Sequence, residues 1–134
     1  MTHSIKRHAF ELYLRENSRT DTGTIDSYLN GMDLLPLMIR KYAGGFSDCQ
    51  DIWSVGSIAR VHQLLKKVKE EQRLKEKSRW YLEGKKSYLQ KGFIKAALGH
   101  YRHFLLETQH QERLLELVRK HKGDPDELAE LLNQ

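Results

Sequence analysis

Residues 66–95 hold the side chains of this sequence that are best suited to binding a polyanion. The segment contains eleven basic residues against four acidic ones, whereas residues 1–65 contain seven of each. Residues 96–134 contain five basic and seven acidic residues, so the excess positive charge is concentrated in the middle of the chain. Ammonium and guanidinium groups neutralise phosphates and release counterions, and a concentrated field attracts a polyanion better than a scattered one. The candidate contact residues are Lys66, Lys67, Lys69, Arg73, Lys75, Lys77, Arg79, Trp80, Lys85, Lys86, Lys91 and Lys95.

Aromatic residues interrupt this basic segment, in Arg79-Trp80-Tyr81 and again at Tyr88. The ring of Trp80 or Tyr81 could stack on a base or pack against a sugar. Lysines outnumber arginines in the segment, which favours contacts with phosphates over bidentate recognition of guanine. The pattern therefore predicts binding to nucleic acid with little base-specific recognition.

A structural interpretation of the same segment stays open. Tyr88 could belong to the core, Trp80 could shield a helix end, and the lysines could serve only to keep the surface solvated. The interspersed acids, which a dedicated polyanion groove would avoid, favour this alternative; they are Glu70, Glu71, Glu76 and Glu83.

No set of residues predicts catalysis or a bound cofactor. His100, His103 and Glu107 share one face of a predicted helix, as metal ligands would, but no fourth ligand follows them and chance accounts for the spacing. Cys49 has no neighbouring histidine and no glycine-rich elbow, so a structural cysteine is the better interpretation. Gly44-Gly45 lacks the lysine and serine or threonine of a phosphate-binding loop. We expect a chain that is not an enzyme and carries no metal.

Length and composition favour one globular domain of the cytoplasm. A chain of 134 residues can bury one core, and 39% hydrophobic residues place it outside the disordered class. No apolar run is long enough to span a bilayer, and no apolar stretch of a secretory signal follows Lys6-Arg7. A lone cysteine fits a reducing compartment. We expect a core over residues 4–107 with further helices over 110–133, as the N-terminal part of a longer protein.

Apolar spacing predicts an all-α fold, a compact bundle of about five to seven helices, because no period-two alternation argues for a sheet. The first helix would begin after a Ser4 cap, the second after Thr24, and the third after Ser57. Pro36 would kink or restart the second helix. The expected helices cover 5–15, 25–42, 58–68, 93–106, 111–120 and 125–132.

Two connections have different predicted roles. The loop over residues 46–56 would anchor Phe46, Ile52, Trp53 and Val55 in the core. The charged stretch over residues 73–86 would fray into an exposed connection, with Gly84 as a break.

Two stretches resemble known helical modules. The pattern Phe10-x-x-Tyr13-Leu14 followed by Thr24-Ile25-x-x-Tyr28 is similar to the opening of the core-binding domain of tyrosine recombinases, a bundle that grips duplex DNA. Residues 6–106, with Asp51-Ile52-Trp53, a helix after Ser57 and Ala96-Ala97-Leu98-x-x-Tyr101-x-x-Phe104-Leu105, resemble a helical module that precedes nuclease domains in bacterial restriction and phage-defence proteins. The residues that a recombinase uses for catalysis lie in a separate domain.

These resemblances imply a non-catalytic DNA-binding module that supplies DNA contact or target specificity to a nuclease or recombinase-type system. The expected partners are double-stranded DNA and a nuclease or ATPase domain or subunit, with no membrane. The alternative is a protein–protein interaction domain in a bacterial defence assembly.

Overall fold

The computed structural model describes residues 2–17 and 22–120, and these ranges contain five α-helices and no strand. The helices are α1 (Thr2–Asn17), α2 (Thr22–Lys41), α3 (Ile58–Leu74), α4 (Lys86–Gln90) and α5 (Phe93–Lys120). Single 3-10 turns cover Ser47–Cys49, Ile52–Ser54 and Lys75–Lys77. The predicted all-α bundle is confirmed.

Helix α5 lies at the centre of the bundle and packs against each of the other four helices. Its Tyr101 is fully buried and meets Phe10 of α1 and Trp53 edge-to-face, with ring centroids 5.4 and 5.6 Å apart. Each large apolar side chain buried in this way contributes about 1.5–3 kcal/mol. The aromatic centre therefore joins α1, α5 and the loop that precedes α3.

The Tyr101 hydroxyl also fixes that loop. Its oxygen lies 3.2 Å from the carbonyl oxygen of Ile52 and 3.1 Å from that of Val55, so the phenol donates to this turn from inside the core. Ile52, Trp53 and Val55 are buried and Phe46 packs against the core, which confirms all four predicted anchors.

The predicted helix starts are correct at one of three places. Ser57 caps α3 by accepting a hydrogen bond from the backbone N–H of Arg60 at 3.1 Å. Helix α1 begins two residues before Ser4, and α2 begins two residues before Thr24. Both predicted cap residues therefore lie inside their helices. Pro36 lies inside α2 without restarting it. The ring costs one backbone hydrogen bond, and the buried Leu35, Met38 and Ile39 around it keep the chain helical.

Two further expectations are wrong within the described residues. The helices expected over 93–106 and 111–120 form one continuous α5, because no glycine or proline occurs between Gly99 and Lys120 to interrupt it. The connection after α3 is anchored, because Ser78 and Trp80 within it are buried. The helix predicted over 125–132 lies outside the described residues.

Candidate nucleic-acid interface

Helices α3 and α5 lie antiparallel; two side-chain contacts define their register, and a third joins α3 to the end of α4. The Gln109 side-chain amide donates to the carbonyl oxygen of Gly56 at 3.0 Å, at the start of α3. In the middle, a guanidinium nitrogen of Arg102 lies 2.7 Å from Nδ1 of His62. Near the end of α3, the Gln72 side-chain amide donates to the carbonyl oxygen of Gln90 at 3.1 Å, at the end of α4 just before α5 begins. The exposed edges of the two helices therefore run side by side.

The outer face of α3 contributes three cations. Lys66, Lys69 and Arg73 follow one another at helical spacing and are exposed. The opposite face of α3 is buried in the core through Val61, Leu64, Leu65 and Val68, as its apolar spacing predicts. The amphipathic pattern of α3 thus fixes which way these three cations point.

The facing edge of α5 contributes Lys95 and Arg102, one turn to either side of Gly99. Extension of the register set by the Gly56–Gln109 and His62–Arg102 contacts places Lys69 about level with Lys95. A Cβ added at Gly99 would meet no atom within 4 Å, so the surface between the two cations is open. We call the surface formed by Lys66, Lys69, Arg73, Lys95 and Arg102 the basic face.

The cations of the basic face are not neutralised by neighbouring carboxylates. Among residues 2–17 and 22–120, no ion pair involves Lys66, Lys69, Arg73, Lys95 or Arg102. Glu70 is exposed on α3 at the border of the face. Within the described residues, the five cations of the basic face therefore keep their charges unpaired.

Lys67 is turned away from the basic face. Its ammonium nitrogen lies 3.5 Å from a carboxylate oxygen of Glu71 and 5.9 Å from the ring centroids of both Tyr42 and Trp80. The Glu71 carboxylate also accepts a hydrogen bond of 2.9 Å from the hydroxyl of Ser78. Lys67 therefore belongs to a packed structural cluster.

Trp80 is fully buried, which corrects its expected role as a base-stacking residue. Its indole N–H donates to the carbonyl oxygen of Tyr42, and its backbone N–H donates to the hydroxyl of Ser78. A ring enclosed by the core has no free face for a base, so Trp80 is not a contact candidate in this conformation. The burial of Trp80 favours the structural interpretation of this residue.

The remaining candidates are distributed around the bundle. Lys75, Lys77 and Arg79 are exposed on the connection after α3, and the Arg79 guanidinium lies 4.4 Å from the ring centroid of Tyr42. Lys85 borders a groove against α2, on another side of the bundle. Lys91 is exposed at the end of α4, where it lines a groove of about 370 Å³ with Tyr81 and Ser87. The side chain of Lys86 lies outside the described residues.

Sequence reasoning missed Arg102 and His62. Both lie outside the segment of concentrated charge, and only the antiparallel packing of α3 and α5 brings them beside Lys66 and Lys69. The signal available in the sequence was their position on the polar edge of each amphipathic helix. With Nδ1 of His62 accepting from Arg102, the imidazole proton is assigned to Nε2.

The residues considered for metal binding and catalysis have structural surroundings. The described residues contain no group of three or more histidine, cysteine, aspartate or glutamate side chains placed to hold a metal ion. His100 packs on Tyr28 with ring centroids 5.3 Å apart, and burial together with nearby His103 lowers its pKa. Cys49 is fully buried, and burial raises the pKa of its thiol, which disfavours the reactive thiolate.

No protein-family model, curated protein or solved structure matches this chain. The resemblance to recombinase core-binding domains and to modules of restriction and phage-defence proteins therefore stays a prediction. None of the helices that the structure describes combines the length and apolar character needed to cross a membrane.

Proposed function

We propose that this chain is a non-catalytic DNA-binding module whose contact surface is the basic face. The observation that carries the proposal is the antiparallel register of α3 and α5, which collects Lys66, Lys69, Arg73, Lys95 and Arg102 on one side of the bundle. The residues of the basic face are far apart in sequence. The fold, as well as the number of basic residues, therefore determines the basic face.

The dimensions of the basic face suit a phosphate backbone. Seven helical residues separate Lys66 from Arg73, which corresponds to about 10 Å along the axis of α3. Phosphates of one DNA strand recur about every 3.4 Å along the duplex axis, so this length matches about three of them. The second row of cations on α5 broadens the contact.

The chemistry of the basic face favours contact with phosphates over base recognition. Three of its five cations are lysines, whose ammonium groups act as point charges, and neither helix edge carries an asparagine or glutamine within the face. We therefore expect binding that depends weakly on sequence and strongly on salt. A module of this kind would position a nuclease, recombinase or ATPase partner on DNA in the cytoplasm.

A fluorescence-polarisation titration of a labelled duplex with the whole chain tests the proposal. We expect dissociation constants in the micromolar range at low salt, as is typical of non-specific binding, and a marked weakening with added salt. Absence of binding at low salt, or an affinity that salt leaves unchanged, would refute the proposal.

A protein–protein interaction domain is the second candidate, and exposed leucines favour it. Leu106 and Leu115 of α5 are 55% and 61% exposed, although large apolar side chains are usually buried. The two functions are compatible, because these leucines lie on the end of α5 beyond Arg102, whereas the basic face begins at the other end of that helix.

A further inference from the structure

Helix α5 extends well beyond the core that it helps to build. Its 28 residues correspond to about 42 Å of helix. The last buried residue is Leu105, and none of the residues from 106 to 120 is buried. Leu115 and Val118 in this final segment are 61% and 47% exposed. A helix end with exposed apolar side chains gains stability when another helix packs on them.

The stripe has the spacing of a coiled-coil seam. Thr108, Gln111, Leu115 and Val118 follow one another at intervals of three, four and three residues, which is the alternation of a heptad repeat. Thr108 is half-buried and Gln111, Leu115 and Val118 are exposed, whereas the neighbouring Leu114 and Leu117 are half-buried. We call Gln111, Leu115 and Val118 the α5 seam.

Two charged residues flank the seam on the same side, seven positions apart. Glu112 and Arg119 have opposite charge and occupy equivalent places in successive heptads. Among the described residues neither of them takes part in an ion pair. Both charges are therefore available to a helix that packs on the seam.

We infer that the α5 seam pairs antiparallel with the same seam of a second copy of this chain. When Leu115 of one copy lies opposite Val118 of the other, heptad geometry brings Glu112 opposite Arg119. The two-fold axis repeats this contact, so two ion pairs close the interface. A parallel pair would instead leave both charges without a complement.

The surface next to the N-terminal end of the α5 seam could enlarge the contact between the two copies. A groove of about 560 Å³ lies between α1 and α5 and is lined by Ile5, Trp53, Phe104 and Leu105, with Glu112 at its end. Ile5 is 69% exposed there. Because the seam itself is short, the interface is small, and we expect a dissociation constant of roughly tens of micromolar.

Sedimentation velocity of the whole chain over a range of concentrations tests this inference. The expected result is a reversible monomer–dimer equilibrium. Leu115→Glu places a charge in the seam and is expected to weaken dimerisation at least tenfold. Leu37→Glu is the matched control, since Leu37 is a similarly exposed leucine on α2, and it should leave the equilibrium unchanged.

Charge reversal tests the antiparallel arrangement. Glu112→Arg and Arg119→Glu each create two like-charge contacts, and each should weaken dimerisation about five- to tenfold. The double variant restores opposite charges and should recover most of the lost affinity. Failure of the double variant to recover would overturn the antiparallel register.

Two other results would overturn dimerisation itself. One is a chain that stays monomeric at every concentration. The other is a monomer that Leu115→Glu destabilises towards urea, which would mean that the seam is covered from within the chain. Neither measurement involves DNA, so failure here and failure of the proposed function are distinguishable.

Discussion

The indole nitrogen of Trp80 donates a hydrogen bond of 2.7 Å to the carbonyl oxygen of Tyr42, at the end of α2. Tyr42 also receives the guanidinium of Arg79 on its ring, with the ammonium of Lys67 nearby. The connection after α3, which is rich in lysine, is thereby held against the bundle. Lys67 and Arg79 therefore contribute to the packing of this connection, whereas the cations of the basic face do not.

Replacement of Trp80 measures the strength of this anchor. Trp80→Ala is expected to lower the free energy of unfolding by about 3–5 kcal/mol, because it leaves a large cavity in the core. Trp80→Phe should cost less, about 1–3 kcal/mol, since it keeps one aromatic ring in the core while it removes the hydrogen bond to Tyr42 and leaves a smaller cavity. Urea denaturation followed by circular dichroism gives both values.

The same phenylalanine variant tests the correction of the role of Trp80. A folded Trp80→Phe protein should bind duplex DNA with unchanged affinity, within about twofold, because the ring is enclosed. A large loss of affinity in a variant with an intact circular dichroism spectrum would restore the stacking role.

Tyr101→Phe is expected to destabilise the bundle by about 1–2 kcal/mol. The substitution keeps the aromatic packing but removes the buried donor of the Val55 carbonyl group, whereas the Ile52 carbonyl group still accepts from the backbone N–H of Val55. Burial raises the pKa of Tyr101, so the phenol remains a donor across the neutral range. Thermal unfolding measures the effect, and Tyr81→Phe on the less buried connection serves as a control that should change little.

Protonation of His100 is expected to lower the free energy of unfolding under mildly acidic conditions. Its pKa in the folded chain lies below the ordinary value because of burial and the nearby His103. The unfolded chain therefore binds the proton more readily. The contribution of neutral His100 to stability is fully present above the ordinary histidine pKa of about 6.5. It is lost as pH falls from there through the lowered pKa of His100 in the folded chain.

Urea denaturation at about pH 7.5 and about pH 5.5 checks this dependence. His100→Phe removes the titrating group and should reduce the difference in unfolding free energy between the two pH values. His110→Gln, at an exposed position on the same helix, should leave the difference unchanged. An equal effect of both substitutions would contradict the assignment to His100.

Lys75→Gly is expected to stabilise the chain by about 1 kcal/mol. Lys75 has φ of 54° and ψ of −123° at the end of α3, a conformation that glycine adopts far more easily than any residue with a Cβ. Lys77→Gly, two residues later and without positive φ, should be neutral or destabilising. Equal effects of the two substitutions would show that the backbone of Lys75 is not strained.

The helices could be predicted from the sequence because periodic apolar residues determine them locally. The stripe from Val61 to Val68 and the Ser57 cap are examples in which the local signal agrees with the packing. The exact ends of α1 and the continuity of α5 depend on tertiary contacts, which the local apolar pattern does not encode. Trp80 was ambiguous because its burial depends on Tyr42, which lies 38 residues earlier.

The charged segment could be located from sequence, but the basic face could not. Charge counting treats Lys66 and Lys67 alike, whereas the helix turns Lys66 outwards and Lys67 towards Glu71. Arg102 falls outside the segment and joins the face only because α5 packs antiparallel to α3. Side chains adjacent in sequence point to different sides of the bundle, and residues far apart in sequence lie on one surface. A single-sequence pattern does not encode either effect.

The salt dependence of duplex binding by two charge-reversal variants tests the proposed function most directly. The logarithm of affinity against the logarithm of salt concentration should have a slope of about −4.5 for the native chain, as five phosphate contacts predict. Lys69→Glu with Lys95→Glu should weaken binding at least tenfold and reduce the slope by about 2. Arg40→Glu with Lys85→Glu makes the same change in net charge away from the basic face and should retain most of the affinity and the native slope. Equal losses in the two double variants would contradict a localised basic face.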